Sequence, residues 1–310
     1  MKEMGLEFND INQAQLYFYG VLLNSGSSIE TRGLDTLEIT PAYFKVNNPR
    51  ARITSLKGRN WKLAPALGEL SWHLSGSKDL DFIANYLANW KYFSEDNSHI
   101  TGSCYGFKIF ENTPNKQSKW KNIISLLKND IHSRRAVITL LDPAEEISLE
   151  RLDISCTISI QFLIRNGQLD ILVNMRSNDL VWGLPYDFFL FSYLQELMAL
   201  ELGIPVGIYH HFAASLHIYK KHINLAKKIV DLNIDTQSVI MPPITSLNIK
   251  EFTRLEEKLR KGTLDRQSLE STDIDHYWKE LLKIIYSHYA DKSHERTIEK
   301  SSINQTIHGQ

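Results

Sequence analysis

The chain has 310 residues, 43% hydrophobic and 23% charged, which is enough apolar matter for a core in one large domain or two small ones. Its 35 Lys+Arg against 36 Asp+Glu leave a net charge of −1, which argues against a nucleic-acid or membrane surface. No apolar run reaches the roughly 18 residues that span a bilayer, the polar start lacks the order of a signal peptide, and two cysteines, Cys104 and Cys156, argue for a reducing cytoplasm without a disulfide framework.

In chain order, LYFYGVLLN (16–24) reads as an early helix or buried segment. SGSSIETRG (25–33) is a loop, and LEITPAYFKV (37–46) is extended, interrupted by Pro41. KLAPALGELSWHLSG (62–76) has apolar residues at helical spacing and a stop at Gly76. DLDFIANYLANW (79–90) predicts a second amphipathic helix, followed by turns over 94–106. WKNIISLLKNDIHS (120–133) is helical and AVITLLDP (136–143) is a strand.

The clearest local signal is TISIQFLIRNGQLDILVNMR (157–176), two β-rich runs around Asn166-Gly167, the pair that favours a type I′ hairpin turn. Both runs are mostly apolar, which predicts a well-covered sheet. YDFFLFSYLQELMALELG is apolar nearly all round, as a buried helix is, and stops at Gly203. GIYHHFA predicts a short strand leading into a helix over SLHIYKKHINLAKKIVDL. DHYWKELLKIIYSHYA (275–290) predicts a packing helix, and the last residues a frayed tail. Together these predict an α+β fold with a C-terminal helical extension.

Several pieces in a fixed order resemble the thymidylate synthase family, which includes pyrimidine nucleotide hydroxymethylases. They are TRG (31–33), ELSW (69–72), Trp90 and Phe93, GSCYG (102–106), HSRR (132–135), SCTISIQF (155–162), RSNDLVWGLPYD (176–187) and HIYKKH (217–222). The resemblance implies a large mixed β-sheet packed by helices, with the sheet also forming a dimer interface. It puts a catalytic domain over 1–248 and a helical extension over 249–310.

The family's chemistry explains the residue types. Carbon 5 of a pyrimidine is a poor nucleophile until a thiolate adds at carbon 6, so one hard step becomes two easier ones. The resemblance makes Cys156 that nucleophile, with Arg176 beside it to favour the thiolate, whereas Cys104 reads as packing. It assigns Arg32, Arg176 and Ser177 to the nucleotide phosphate, joined by Arg134 and Arg135 from the other subunit of a homodimer. Arginine suits that task through its bidentate fork. It places His217 and Tyr219 on the sugar, and Glu69 and Tyr105 near the reacting bonds. Trp90, Asp179 and Gly183 fall to the folate. The co-substrate implied is 5,10-methylenetetrahydrofolate, with no metal, membrane or nucleic-acid partner.

Asp187 stands where the family's synthases carry an asparagine that pairs with uracil. A carboxyl suits cytosine instead, bonding N3 through its proton and accepting from the amino group. The residue type alone equally fits a helix cap. Around the nucleophile the usual Pro-Cys-His is Ser155-Cys156-Thr157. Trp182 replaces a leucine, Ser215-Leu216 replace an Asp-Ala pair, and the synthases' short closing tail is not recognisable after residue 245. The sequence therefore predicts a cytidylate 5-hydroxymethylase acting on dCMP or CMP. The alternatives are a synthase methylating dUMP and a non-catalytic nucleotide- or RNA-binding relative.

Overall fold

A computed structural model describes residues 5–31, 33–111, 117–142, 150–233 and 236–290. The chain starts with β1 (Leu6–Phe8) and α1 (Ile11–Ser25), whose Asp10 cap accepts a hydrogen bond from the Gln13 amide. The helix read from 16–24 therefore starts five residues earlier, at the cap. Strands β2 (Ser27–Thr31), β3 (Leu34–Ile39) and β4 (Ala42–Val46) follow, the last two separated by the cis Thr40–Pro41 bond. Helix α2 (Leu63–Leu74) ends before Gly76, which adopts a left-handed φ of 67°. The expected second helix is shorter: α3 (Leu80–Tyr86) breaks at Leu87, and a 3-10 helix (Ala88–Tyr92) carries Trp90.

Next come α4 (Tyr105–Phe110), α5 (Lys119–Asn129), β5 (Val137–Thr139), β6 (Thr157–Arg165) and β7 (Gln168–Met175). Asn166 and Gly167 have φ of 51° and 74°, so both central hairpin residues are left-handed, as a type I′ turn requires. The two-residue strand β8 (Asn178–Asp179) precedes α6 (Leu184–Leu202), then β9 (Val206–Ala213) and β10 (Leu216–Tyr219). Helices α7 (Ile223–Leu232), α8 (Ile249–Arg260) and α9 (Arg266–Glu270) follow, and a last helix covers 276–290. The predicted frayed tail lies outside the described residues.

The fold is α+β, as expected. One mixed sheet has the order β1-β4-β9-β7-β6-β5, and a second has the order β2-β3-β10-β8. Helix α6 is buried along nearly its whole length and packs on β7 and β9. Buried side chains alternate with half-exposed ones along β6, β7 and β9. This corrects the expectation of a well-covered sheet: within one protomer, one face is core and the other is only partly shielded.

A second correction concerns SLHIYKKH, which was expected to open a helix. Residues 216–219 instead form β10, antiparallel to β3 and parallel to β8. Backbone partners distant in sequence decide the matter here, because a short apolar run is compatible with either structure. The helix starts only at Ile223, after a 3-10 turn over Lys220–His222.

Candidate active site

The site lies where several strands end together. In register, Thr157 at the start of β6 pairs with Met175 at the end of β7, and Met175 pairs with Ala213 at the end of β9. Cys156 and Arg176 directly flank the first pair; a bulge between Thr157 and Ser159 shifts the hairpin register by one residue and so brings them together. The Arg176 Nη2 lies 3.6 Å from the Cys156 sulfur, which is partly open to solvent. Arg176 is anchored by Nε to the Ser155 carbonyl at 3.0 Å and by Nη2 to the Ile154 carbonyl at 2.9 Å. A fixed guanidinium beside a reachable sulfur favours the thiolate. The Tyr105 hydroxyl accepts from the Thr157 amide at 3.4 Å. Burial, with Cys156 and Asp187 nearby, pushes that phenol well up, so it stays neutral. By contrast, Cys104 is buried and its thiol donates to the Thr101 carbonyl, as a packing residue does.

Asp187 lies in the first turn of α6 but does not cap it. The cap position is Gly183, which has no side chain to offer, and Asp187's own amide already bonds the Gly183 carbonyl. The carboxyl is set deep yet partly open, and its Oδ2 accepts from Asn178 Nδ2 at 2.7 Å. Burial, reinforced by the Glu69 and Asp179 charges and opposed by the Asn178 bond, pushes it up to about 8. Behind it, Asn178 Oδ1 meets His211 Nε2 at 3.1 Å, and His211 Nδ1 meets the Tyr209 hydroxyl at 3.3 Å. Burial pushes the His211 ring down to about 3, so it is neutral.

Glu69, on α2, points at His73 Nε2 from 3.8 Å. The Gly106 amide donates to His73 Nδ1 at 3.1 Å, and the His73 ring stacks on Tyr105 at 5.5 Å. The Glu69–His73 pair and Tyr105 are thus parts of one cluster, and the Glu69 charge also acts on Asp187 and Tyr186. Asp179 turns one oxygen to the Val181 amide and the other to the Trp182 amide. Its carboxyl is pushed up by burial, and His217 and His222 oppose this. His217 is buried edge-on to Tyr219, 5.4 Å between centroids. Ser177 and Tyr219 are half-buried.

Arg134 and Arg135 are exposed in the loop before the edge strand β5. They do not join the cluster around Cys156 in the contacts described. Trp90 packs against Trp72 and Phe93, 5.7 and 5.8 Å away. Arg32 lies outside the described residues. Trp182 is 49% exposed, with the buried Arg59 guanidinium 4.7 Å from its ring. The indole thus has one face on a fixed cation, which also bonds the Val181 carbonyl.

Sequence reading passed over Asn178, His211, Tyr209, His73 and Arg59. Asn178 sits inside the quoted RSND run, and its side chain was the available signal. His211 and Tyr209 sit in a strand with no local feature to mark them.

A family model described as thymidylate synthase matches residues 18–261, and the chain belongs to that family. It is 31% identical over 246 residues to a deoxyuridylate hydroxymethyltransferase of Bacillus phage SP01, covering 74% of this chain and 64% of that protein. A protein of the same name from Pseudomonas phage M6 is 29% identical over 249 residues, covering 80% of this chain and 66% of its own length. The chain therefore spans just under two thirds of these relatives. The thymidylate synthase 1 of Bacillus subtilis strain 168 is 26% identical over 199 residues, 62% of this chain and 69% of that one. The solved thermostable thymidylate synthase A from Bacillus subtilis superposes with a TM-score of 0.63 at 23% identity, covering 74% of this chain and 86% of that one, a likeness of fold. Among the described residues, no helix is long and apolar enough to cross a membrane.

Proposed function

We propose that the chain is a cytoplasmic pyrimidine-nucleotide 5-hydroxymethylase acting on dCMP or CMP. Methylenetetrahydrofolate supplies the one-carbon electrophile. Cys156 adds to carbon 6 of the base while Arg176 favours its thiolate. Asp187 gives its proton toward N3, where the adduct gathers negative charge, and accepts from the 4-amino group. Glu69 and Tyr105 order the proton transfers and the water that completes the hydroxymethyl group. Arg32, Arg176 and Ser177 hold the phosphate together with Arg134 and Arg135 of the partner subunit. His217 and Tyr219 hold the sugar, and Trp90, Asp179 and Gly183 contact the folate. The half-shielded sheet face supports a homodimer, because a protomer alone leaves it partly open.

One observation carries this reading: a carboxyl rather than an amide stands at position 187, bonded by Asn178 at 2.7 Å where burial pushes its pKa up to about 8. Addition at carbon 6 of cytosine calls for a proton at N3, and an acid can move one where an amide cannot. A second reading, hydroxymethylation of dUMP, is favoured by the names of the two phage relatives. Incubation with CMP, dCMP, UMP and dUMP plus the folate, followed by mass spectrometry, separates them. A 5-hydroxymethyl product from a cytidine monophosphate is expected. Product from dUMP alone would transfer the conclusion to the second reading, and dihydrofolate release, read by absorbance, would overturn both.

A further inference from the structure

We propose that Asn178, held by His211 and Tyr209, is a positioning residue for base choice: it fixes which oxygen of Asp187 bears the proton that meets the base. This rests on the reading of Asp187 as the group that recognises the base edge.

The direction of the chain follows from what each group can do. Asn178 Oδ1 only accepts, so the single N–H of neutral His211 must be on Nε2, 3.1 Å away. Nδ1 is then an acceptor, and the Tyr209 hydroxyl, 3.3 Å off, donates to it. With its oxygen engaged by His211, Asn178 presents its NH2 to Asp187 Oδ2 at 2.7 Å. Each donor thus points toward Asp187, and Oδ2 is held as an acceptor. The carbonyl oxygen of a neutral carboxyl is the stronger acceptor, so this bond favours the proton on Oδ1.

That constraint matters because a free carboxyl is ambidextrous. With its proton on one oxygen it matches the cytosine edge, and with its proton on the other it matches the uracil edge. Discrimination requires that one arrangement be blocked, so that the wrong base leaves buried groups unpaired. The three side chains are buried: Asn178 is 2% exposed, and His211 and Tyr209 are fully covered. They are also wedged, since His211 stacks on Phe44 at 4.9 Å and Tyr209 meets Phe188 at 4.6 Å. A Cβ added to Gly183 would come within 2.9 Å of Asn178 Nδ2, so glycine there leaves the amide room to reach Asp187. The other titratable groups that act on Asp187, or on which it acts, are Glu69, Asp179, Tyr105 and Tyr209.

The test is tritium release from 5-tritiated cytidine and uridine monophosphates of matching sugar, read as the ratio of kcat/KM. Asn178→Ala and His211→Phe should lower the cytosine-to-uracil ratio roughly tenfold, about the worth of one lost hydrogen bond. His211→Gln, whose amide can still donate to Asn178 Oδ1, should keep it. In Asn178→Ala the falling limb of the pH profile should move upward, a change that loss of packing alone would not produce. In an Asp187→Asn background, Asn178→Ala should leave the ratio where Asp187→Asn put it. Circular dichroism and Tm verify folding, with Asn178→Ser in reserve. Unchanged ratios in folded Asn178→Ala and His211→Phe, while Asp187→Asn does shift the ratio, would overturn the positioning role alone. A ratio untouched by Asp187→Asn would instead overturn the base reading beneath it.

Discussion

Arg176 holds its guanidinium 3.6 Å from the Cys156 sulfur while two backbone carbonyls, Ser155 and Ile154, keep it from turning away. The cation is thus preorganised for the thiolate. Cys156→Ala should lower tritium release at least about a thousandfold, the scale on which losing a nucleophile acts. Cys104→Ala should keep most of the activity, because the Cys104 thiol is buried against the Thr101 carbonyl. In Arg176→Ala, iodoacetamide should alkylate Cys156 severalfold more slowly at pH 7, measured by peptide mass spectrometry. Equal labelling rates would deny Arg176 its influence on the sulfur.

Asp187 makes pH a direct reporter. Folded, it keeps its proton to about pH 8, whereas an unfolded aspartate loses it near an ordinary value of about 4. Between the two, the folded state binds more protons, so stability present in acid is lost as the pH rises through the folded value. The slope is at most about 1.4 kcal/mol per unit. Asp187→Asn removes the titrating group, so the variant's Tm should gain on wild type steadily from pH 5 to pH 8. In wild type, kcat/KM for the cytidine monophosphate should fall above pH 8. A Tm difference flat with pH would mean that the carboxyl is ionised throughout.

The sequence made legible what is local. The Asn166-Gly167 turn, the buried α6 and its Gly203 stop follow from dihedral preferences and apolar patterning. The site was legible where motif residues adjoin these elements: Cys156 and Arg176 stand at the open end of the predicted hairpin, although the bulge between Thr157 and Ser159 that brings them together has no local signal. Asn178 and His211 were not legible as a pair, because they are 33 residues apart, one in β8 and the other in β9, and meet only where the pairing of β7 with β9 passes into that of β8 with β10. β10 was lost for the same reason, its pairing partners β3 and β8 being remote. The half-open sheet face escaped because an apolar run does not say which cover, helix or second subunit, it awaits.

The proposed homodimer makes a quantitative forecast. Arg134 and Arg135 are exposed beside the edge strand β5, rather than gathered with Cys156 in the same protomer. If the partner supplies them, Cys156→Ala and the double variant Arg134→Ala/Arg135→Ala are each inactive for different reasons. Subunits mixed after reversible unfolding re-pair at random, and about half of the dimers are hybrids. Each hybrid has one site carrying both defects and one carrying neither, so activity should return to about a quarter of wild type. No recovery, with the dimer verified by light scattering, would place the arginines in their own subunit's site, and a double variant active by itself would place them outside any.

Arg52 and Glu196 form a hydrogen-bonded ion pair between the loop after β4 and α6, with side chains 0% and 6% exposed. The pair is well supported: Arg52 Nε donates to the Pro49 carbonyl at 3.2 Å, its guanidinium lies 4.2 Å from the Tyr193 ring centroid, and Glu196 Oε1 accepts from the Ile244 amide at 3.0 Å. Removing one partner strands the other charge away from water, which costs about 3–5 kcal/mol. Arg52→Ala and Glu196→Ala should each lower the denaturation midpoint substantially, whereas Arg52→Met with Glu196→Leu should recover much of the loss, because neither buried charge remains. Chemical denaturation followed by tryptophan fluorescence measures all three. A double variant as unstable as the two single losses added together would mean that the two side chains act independently and that the pair itself contributes nothing.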